Sequence, residues 1–134
     1  MTACYLDASA LVKLLAREAE TTALRTHIEG IDVRSTSRLS TIEVPRAVMR
    51  KGPASLAAVT GPWADILERL LIIELDAEIA KSASEMAPAG LRSLDAIHLA
   101  SALSIGDELN VLITYDSRLA DAARAAGLNV EAPA

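Results

Sequence analysis

The chain has 134 residues, of which 51% are hydrophobic and only 2% aromatic, and its formal net charge is −5. This length suits one domain with a core of Leu, Ile, Val and Ala, and the apolar fraction excludes a disordered chain. The single cysteine, Cys4, excludes an internal disulfide and a multi-cysteine metal site, which favours a reducing compartment. The acidic balance argues against binding nucleic acid through the whole surface, although a local basic patch can still bind it.

Strand candidates and helix candidates alternate along the chain. The strand candidates are short apolar or β-branched runs, and the helix candidates repeat apolar residues at helical spacing. In chain order they are the strand ACYLD (3–7), the helices ASALVKLLARE (8–18) and TTALRTHIEG (21–30), the strand DVRSTS (32–37), a helix near LSTIEVPRAVMRK (39–51), the interrupted helix GPASLAAVTGPWADILERL (52–70), the strand LIIEL (71–75), the helices DAEIAKSASEMA (76–87) and SLDAIHLASALSIG (93–106), the strand VLITY (111–115), the helix DSRLADAARAAG (116–127) and the edge strand NVE (129–131). This alternation predicts an α/β three-layer sandwich, with helices flanking a mostly parallel central sheet.

Glycine and proline punctuate this pattern. Gly30 and Gly127 are candidate helix stops. Pro45 leaves the start of its helix open by several residues, and Gly61-Pro62 predicts either one kinked helix or two short ones. No repeat, low-complexity tract or linker interrupts the chain, so we expect a single domain over residues 1–134.

The N-terminus does not have the pattern of a secretory signal peptide. It lacks a basic leader, and Asp7 and Lys13 interrupt what would have to be the apolar stretch. No uninterrupted apolar run reaches the roughly 18 residues that a membrane-spanning helix needs. We therefore expect no membrane association and a cytoplasmic location.

Four acids fall where a parallel sheet places its functional groups, which is beyond the carboxyl ends of the strands. Asp7 ends the first strand and Asp116 directly follows VLITY. Asp95 lies in the first turn of its helix, and Glu43 lies on the helix after DVRSTS.

Each acid also has a structural explanation. Asp7, Asp76 and Asp116 are candidate helix caps, typically worth about 1 kcal/mol each. The segment from Ser40 to Glu43 has the form of a capping box, and Asp95 would complement a helix dipole. The acids therefore have to be judged as a set.

Four stretches of the chain, YLDASALVKL, STIEVPRAVMR, LRSLDAIHLASAL and LITYDSRLADAARAAGL, carry a family resemblance. In order, spacing and total length the chain resembles the PIN-domain ribonucleases, specifically the VapC-type toxins of prokaryotic toxin–antitoxin pairs. The resemblance spans almost the whole chain. It implies a PIN-like fold and an endoribonuclease that acts as the toxin of a type II system.

The resemblance also assigns roles to particular residues. It implies that Asp7, Glu43, Asp95 and Asp116 form an acidic pocket that holds Mg²⁺ or Mn²⁺ and supports cleavage of an RNA phosphodiester. Ser9 and Thr114 match the family's hydroxyl positions beside the pocket. Asp76 matches no family acid and remains a cap. A cognate VapB-type antitoxin and a homodimer are the implied protein partners.

Elementary electrostatics agrees with a metal in such a pocket. Two carboxylates about 4 Å apart repel by about 4 kcal/mol at an effective dielectric near 20. Four converging acids would protonate or splay unless a cation neutralised them. An all-oxygen set suits a hard divalent ion such as Mg²⁺, which lowers the pKa of a bound water and neutralises charge on the phosphorane.

Positive charge for an RNA substrate is concentrated in one segment. It holds five basic residues against one acid, namely Arg34, Arg38, Arg46, Arg50 and Lys51 against Glu43. Arg46 and Arg50 are four residues apart and therefore share a helix face. The segment is either a phosphate-binding flank or an ordinary solvated face.

Other residues and other chemistries are less favoured. His98 follows Asp95 by three residues, but a lone helix histidine is more often structural, and Cys4 is expected to pack in the core. Trp63 is either an anchor for a partner or a core residue. Two alternatives to the nuclease remain, a PIN-like binding module without activity and an aspartyl-phosphate-type hydrolase that uses Asp7 as nucleophile.

Overall fold

A parallel five-stranded sheet forms the centre of the protein, whose computed structural model describes residues 1–134. The strands are β1 (Ala3–Leu6), β2 (Val33–Ser37), β3 (Leu70–Ile73), β4 (Val111–Ile113) and β5 (Val130–Glu131). Their spatial order is β3-β2-β1-β4-β5, and every neighbouring pair is parallel. The helices are α1 (Ala8–Leu15), α2 (Thr21–Glu29), α3 (Ser40–Met49), α4 (Pro53–Glu68), α5 (Ala77–Ser84), α6 (Ser93–Ser104) and α7 (Ser117–Ala125), with a 3₁₀ turn at Gly106–Glu108.

The central strand β1 divides the core into two clusters. Cys4 and Leu6 point to one face, where they pack with residues of α1, α2, α3 and α4. Tyr5 points to the other face, where it packs with residues of α6 and α7 such as Leu99 and Leu119. This division confirms the predicted three-layer α/β architecture, and it explains why ACYLD is apolar at every position.

The two candidate glycines lie at helix ends, whereas the two candidate prolines lie inside helices. Gly30 caps the end of α2, and Gly127, with φ 92°, follows α7 in the left-handed region that glycine adopts without strain. Pro62 lies inside α4, which is one helix and not two. Pro45 lies inside α3, which begins at Ser40.

Three of the acids that were candidate helix caps do cap helices, and the predicted capping box at Glu43 does not form. Asp7, Asp76 and Asp116 each accept a backbone N–H at the start of a helix, as predicted. The prediction of a capping box between Ser40 and Glu43 is wrong. Ser40 lies within α3, and its hydroxyl bonds the Thr36 hydroxyl at 2.6 Å instead of a helix amide. Glu43 is therefore free to face elsewhere.

None of the helices combines the length and the apolarity that are needed to span a bilayer.

Candidate active site

A pocket of ≈ 400 Å³ opens at the carboxyl edge of the sheet, and its walls include the four predicted acids Asp7, Glu43, Asp95 and Asp116. Asp7 and Asp116 follow β1 and β4, which are adjacent parallel strands. Glu43 reaches the pocket from α3, and Asp95 from the first turn of α6. Four separate segments of the chain thus deliver one carboxylate each to the same place.

Asp7 is the most rigidly held of the four acids. Its side chain is buried, and Oδ1 accepts hydrogen bonds from the Ser9 hydroxyl at 2.7 Å and the Ala10 amide at 3.0 Å. Oδ2 accepts from the Thr114 hydroxyl at 2.6 Å. Burial raises the pKa of Asp7, and these hydrogen bonds oppose the rise because they favour the ionised form. Ser9 and Thr114 therefore lie where the sequence placed them, against the central carboxylate.

The hydroxyls of Ser9 and Thr114 also tie β4 to the pocket. Ser9 accepts the Tyr115 amide at 2.9 Å, and Thr114 accepts the Asp116 amide at 3.0 Å. Asp116 in turn uses Oδ1 to accept the Arg118 and Leu119 amides at the start of α7. These bonds fix the backbone from which Asp116 enters the pocket.

Asp95 experiences the mutual repulsion of the acids most directly. Its pKa is raised, first by burial and then by the negative charge of Asp116, with Asp7 and Glu43 adding to the effect. A positive charge on His98 would act in the opposite direction. The ionisation of Asp95 is thus opposed by three neighbouring carboxylates, and a positive charge in the pocket would relieve this repulsion.

The residues of this pocket that were not predicted as site residues include His98 and Lys13. His98 is buried, and its Nε2 lies 2.6 Å from Oε1 of Glu43. Lys13 lines the pocket, pairs with Glu18 and Glu20, and lies 4.8 Å from the centre of the Tyr115 ring. The spacing of His98 three residues after Asp95 was a usable signal for the first, because it places both side chains on one face of α6.

The five basic residues predicted to contact phosphate lie in different parts of the structure. Arg50 lines the pocket, and Arg46 is exposed one turn earlier on α3. Lys51 lies 3.4 Å from Glu18 across the pocket rim, and Arg38 pairs with Glu74 through two N–H groups. Arg34 donates to the Ile28 carbonyl and lines a different groove. The structure thus brings Arg50 to the acids and leaves Arg34 and Arg38 away from them.

The donor set can be compared with the needs of a metal ion. No three His, Cys, Asp or Glu side chains stand close enough together, as they are, to enclose an ion. Mg²⁺ does not require such a cage, because it keeps several waters and usually binds through one or two carboxylates. Carboxylate oxygens that repel one another fit a hard divalent cation held partly by water.

Comparison with known proteins agrees with this geometry. The family model described as PIN domain matches residues 4–125. The chain belongs to the PIN domain family. It is 43% identical over 133 residues, which is 99% of each chain, to ribonuclease VapC46 of Mycobacterium tuberculosis. This similarity places it among the VapC-type members of the family.

Solved structures share the fold of this PIN domain at low sequence identity. The crystal structure of Mycobacterium tuberculosis VapC20, a toxin that cleaves the sarcin–ricin loop, is 17% identical with a TM-score of 0.74, and covers 97% of this chain and 99% of that one. VapBC2 from Rickettsia felis, bound to a DNA fragment from its promoter, is 16% identical with a TM-score of 0.71, and covers 99% and 100%.

Proposed function

We propose that this PIN domain is a Mg²⁺-dependent endoribonuclease that acts as the toxin of a type II toxin–antitoxin pair, with residues 1–134 as one domain. The observation that carries the proposal is the convergence of Asp7, Glu43, Asp95 and Asp116 on one pocket from four segments. The name of VapC46 as a ribonuclease, at 43% identity over the whole chain, supports it. An RNA-cutting toxin meets its substrate in the cytoplasm, where the proposal places the protein.

The four carboxylates are proposed to hold Mg²⁺ or Mn²⁺ between them. When bound, the ion supplies an activated water and neutralises charge that builds on the phosphorane. Carboxylates that do not bind it directly orient the water or accept its proton. Ser9 and Thr114 hold the Asp7 carboxylate through hydrogen bonds to both oxygens. Their proposed role is to support Asp7 and not to touch the substrate.

The substrate is proposed to bind through its phosphates. Arg50 at the pocket and Arg46 on the same helix offer positive charge beside the acids, with Lys51 next along the chain. Tyr5 and Trp63 are buried, which leaves the single ring of Tyr115 at the pocket and no series of aromatic side chains on which successive bases could stack. Recognition therefore depends on backbone charge and RNA shape.

A VapB-type antitoxin and a second copy of the chain are the proposed protein partners. A groove of ≈ 650 Å³ lies between α2 and α4, with Ile28, Pro62 and Ile66 among its apolar walls. It is lined as well by Arg25, Arg34 and Arg69. The VapBC2 complex is a neighbour in fold, which supports a partner of this class. Trp63, on α4, is packed in the core, so it is not an exposed anchor.

The aspartyl-phosphate alternative is disfavoured by the surroundings of Asp7. The haloacid-dehalogenase pattern of such enzymes has a second aspartate two residues after the nucleophile. The hydroxyl of Ser9, two residues on, donates to Asp7 and provides no second carboxylate.

Cleavage of a total-RNA pool by the purified protein tests the proposal. We expect cleavage in Mg²⁺, none in EDTA, and none by Asp95→Asn, which keeps the side-chain shape and removes one charge from the pocket. Asp121→Asn is the matched control, because the Asp121 side chain is 83% exposed on α7 and does not line the pocket. Cleavage that survives both EDTA and Asp95→Asn would contradict the proposal. Mn²⁺ binding without cleavage of any RNA would favour the binding module.

A further inference from the structure

Glu43 of the pocket is joined to two buried polar residues, Tyr5 and His98, that the proposed function does not use. The Tyr5 hydroxyl, on β1, lies 2.6 Å from Nδ1 of His98, on α6. Nε2 of the same imidazole lies 2.6 Å from Oε1 of Glu43, on α3. Tyr5 and His98 are buried, whereas 25% of the Glu43 side chain is exposed where it lines the pocket. We call these three residues the Tyr5–His98–Glu43 chain.

Hydrogen-bond chemistry gives each member of this chain one role. An ionised carboxylate only accepts, so Nε2 of His98 carries a proton and donates it to Oε1 of Glu43. In the neutral imidazole Nδ1 is then an acceptor, and the Tyr5 hydroxyl donates to it. Each bond fixes the direction of the next one. The tautomer of His98 and the rotation of the Glu43 carboxylate are therefore set from the interior of the protein.

Glu43 differs from Asp7 and Asp116 in how it is held. Asp7 is fixed by two hydroxyls and an amide, and Asp116 by the first amides of α7. Glu43 has a longer side chain, and its hydrogen bond from His98 is its only one. Oε2 of Glu43 makes no hydrogen bond in the protein. Without His98 nothing would fix which oxygen faces the pocket.

We propose that Tyr5 and His98 are positioning residues that hold the Glu43 carboxylate in one orientation, with Oε1 bound by His98 and Oε2 presented to a divalent cation or to a water on that cation. This inference rests on the proposed function, because it concerns the same pocket. It follows a general pattern in metal sites, where the partners of ligand side chains orient the ligands. In this role Tyr5 and His98 act through Glu43 and not through contacts of their own with substrate or metal.

A purely structural role is the competing explanation, since the same bonds connect β1, α3 and α6. The two roles differ in how they depend on Glu43. If the role is structural, loss of Tyr5 and His98 distorts the whole pocket and weakens Mn²⁺ binding whether or not residue 43 carries a carboxylate. A positioning role disappears once the carboxylate is gone. A double-mutant cycle with Glu43→Ala separates them.

The experiment measures Mn²⁺ affinity by titration calorimetry and melting temperature by scanning calorimetry. The main variant is Tyr5→Phe/His98→Leu, which removes both inner partners and leaves neither of them buried with an unpaired polar group. We expect it to weaken Mn²⁺ binding about 10-fold, at the low end of the range for partners of metal ligands. In the Glu43→Ala background we expect a change of less than about twofold.

Two further variants make the result specific. His98→Gln keeps an N–H donor near the position of Nε2, so we expect it to restore most of the affinity that the double variant loses. Tyr5→Phe alone keeps the buried ring and removes one hydroxyl. If the double variant does not fold, Tyr5→Phe carries the same prediction of weaker Mn²⁺ binding that depends on Glu43.

The reference variant Asp95→Asn distinguishes the failure of this inference from the failure of the proposed function. If Asp95→Asn binds Mn²⁺ as tightly as the wild type, the metal site itself is wrong, and the inference falls with it. If Asp95→Asn weakens binding but the double variant does not, only the positioning role is overturned. An equal loss of affinity with and without Glu43 overturns it as well, and would leave the Tyr5–His98–Glu43 chain a structural connection.

Discussion

Two strand-to-helix junctions of this protein each have an aspartate that caps the following helix, but the two aspartates have different surroundings. At the β1–α1 junction Asp7 ends a strand and accepts the Ala10 amide at 3.0 Å. At the β3–α5 junction Asp76 follows a strand and accepts the Ile79 amide at 2.9 Å. As helix caps the two aspartates are equivalent. Asp7 is buried in a pocket with three other acids, whereas Asp76 is exposed and outside that pocket.

The position of each strand in the sheet explains this difference. β1 is the central strand and has β2 and β4 as neighbours, so groups that follow β4 and β2 surround the end of β1. β3 is an edge strand with only β2 beside it. We therefore expect a strand–aspartate–helix sequence to have a functional role at the centre of this parallel sheet and to serve only as a cap at its edge.

The largest difference between the two junctions is expected when each aspartate is replaced by asparagine. Asparagine caps a helix about as well as aspartate, so both variants keep their helix starts. We expect Asp7→Asn to lower the rate of RNA cleavage about 100- to 1000-fold, the typical cost of removing one group that stabilises charge in a transition state. We expect Asp76→Asn to stay within about twofold of the wild type, as is usual for a surface change. Initial rates in Mg²⁺ measure both.

The outcome that would contradict this expectation is equal behaviour of the two variants. If both retained full activity, Asp7 would be a cap and nothing more. If both lost activity, the β3–α5 junction would belong to the site despite its distance from the pocket. Circular dichroism and melting curves show that each variant is folded before its rate is compared.

The sequence was sufficient for the features that depend on local pattern. The strands, the helices, the cap at Asp76 and the four acids of the pocket could all be found from runs of residues or from resemblance to a family. The Tyr5–His98–Glu43 chain could not, because it joins positions on three elements whose packing only the fold determines. The positions of the five basic side chains relative to the pocket could not be predicted from the sequence for the same reason. Arg34 lies on β2 near its beginning, and that strand carries it to the groove between α2 and α4.

A smaller effect is expected where a hydroxyl supports Asp7 and has no counterpart at Asp76. Thr114→Val keeps the shape of the side chain and removes the 2.6 Å hydrogen bond to Oδ2 of Asp7. We expect cleavage to fall about 10-fold, as for other partners of metal ligands. Thr60→Val is the control, since that hydroxyl bonds a carbonyl within α4 on the exposed surface. Equal activity of the two valine variants would mean that Asp7 needs no support from β4.

The smallest expected effect is the change in stability caused by Asp95→Asn. Its sign separates the two explanations of Asp95, as a helix-dipole partner or as a pocket acid. If Asp95 served the dipole of α6, Asp95→Asn would destabilise the protein by about 0.3–1 kcal/mol. The pocket implies the opposite. Burial and the charge of Asp116 raise the pKa of Asp95 above its ordinary value of 3.8, so ionisation costs the folded state more than the unfolded one. We therefore expect Asp95→Asn to melt at a higher temperature than the wild type at pH 7 in EDTA.

The pH dependence follows from the same shift. Below pH 3.8 the carboxyl is protonated in both the folded and the unfolded protein, and Asp95→Asn has no advantage from the missing charge. As pH rises from 3.8 through the raised pKa of the folded state, the wild type loses stability relative to Asp95→Asn, and above that pKa the difference stays constant. Saturating Mg²⁺ should close the gap, because an ion that binds only the folded protein stabilises the wild type more than the variant. Melting curves between pH 4 and pH 8, with and without Mg²⁺, measure this difference. If Asp95→Asn melts below the wild type at pH 7 in EDTA, the main effect of Asp95 on stability is its interaction with the dipole of α6. Only the other three acids would then remain as candidates to hold the ion.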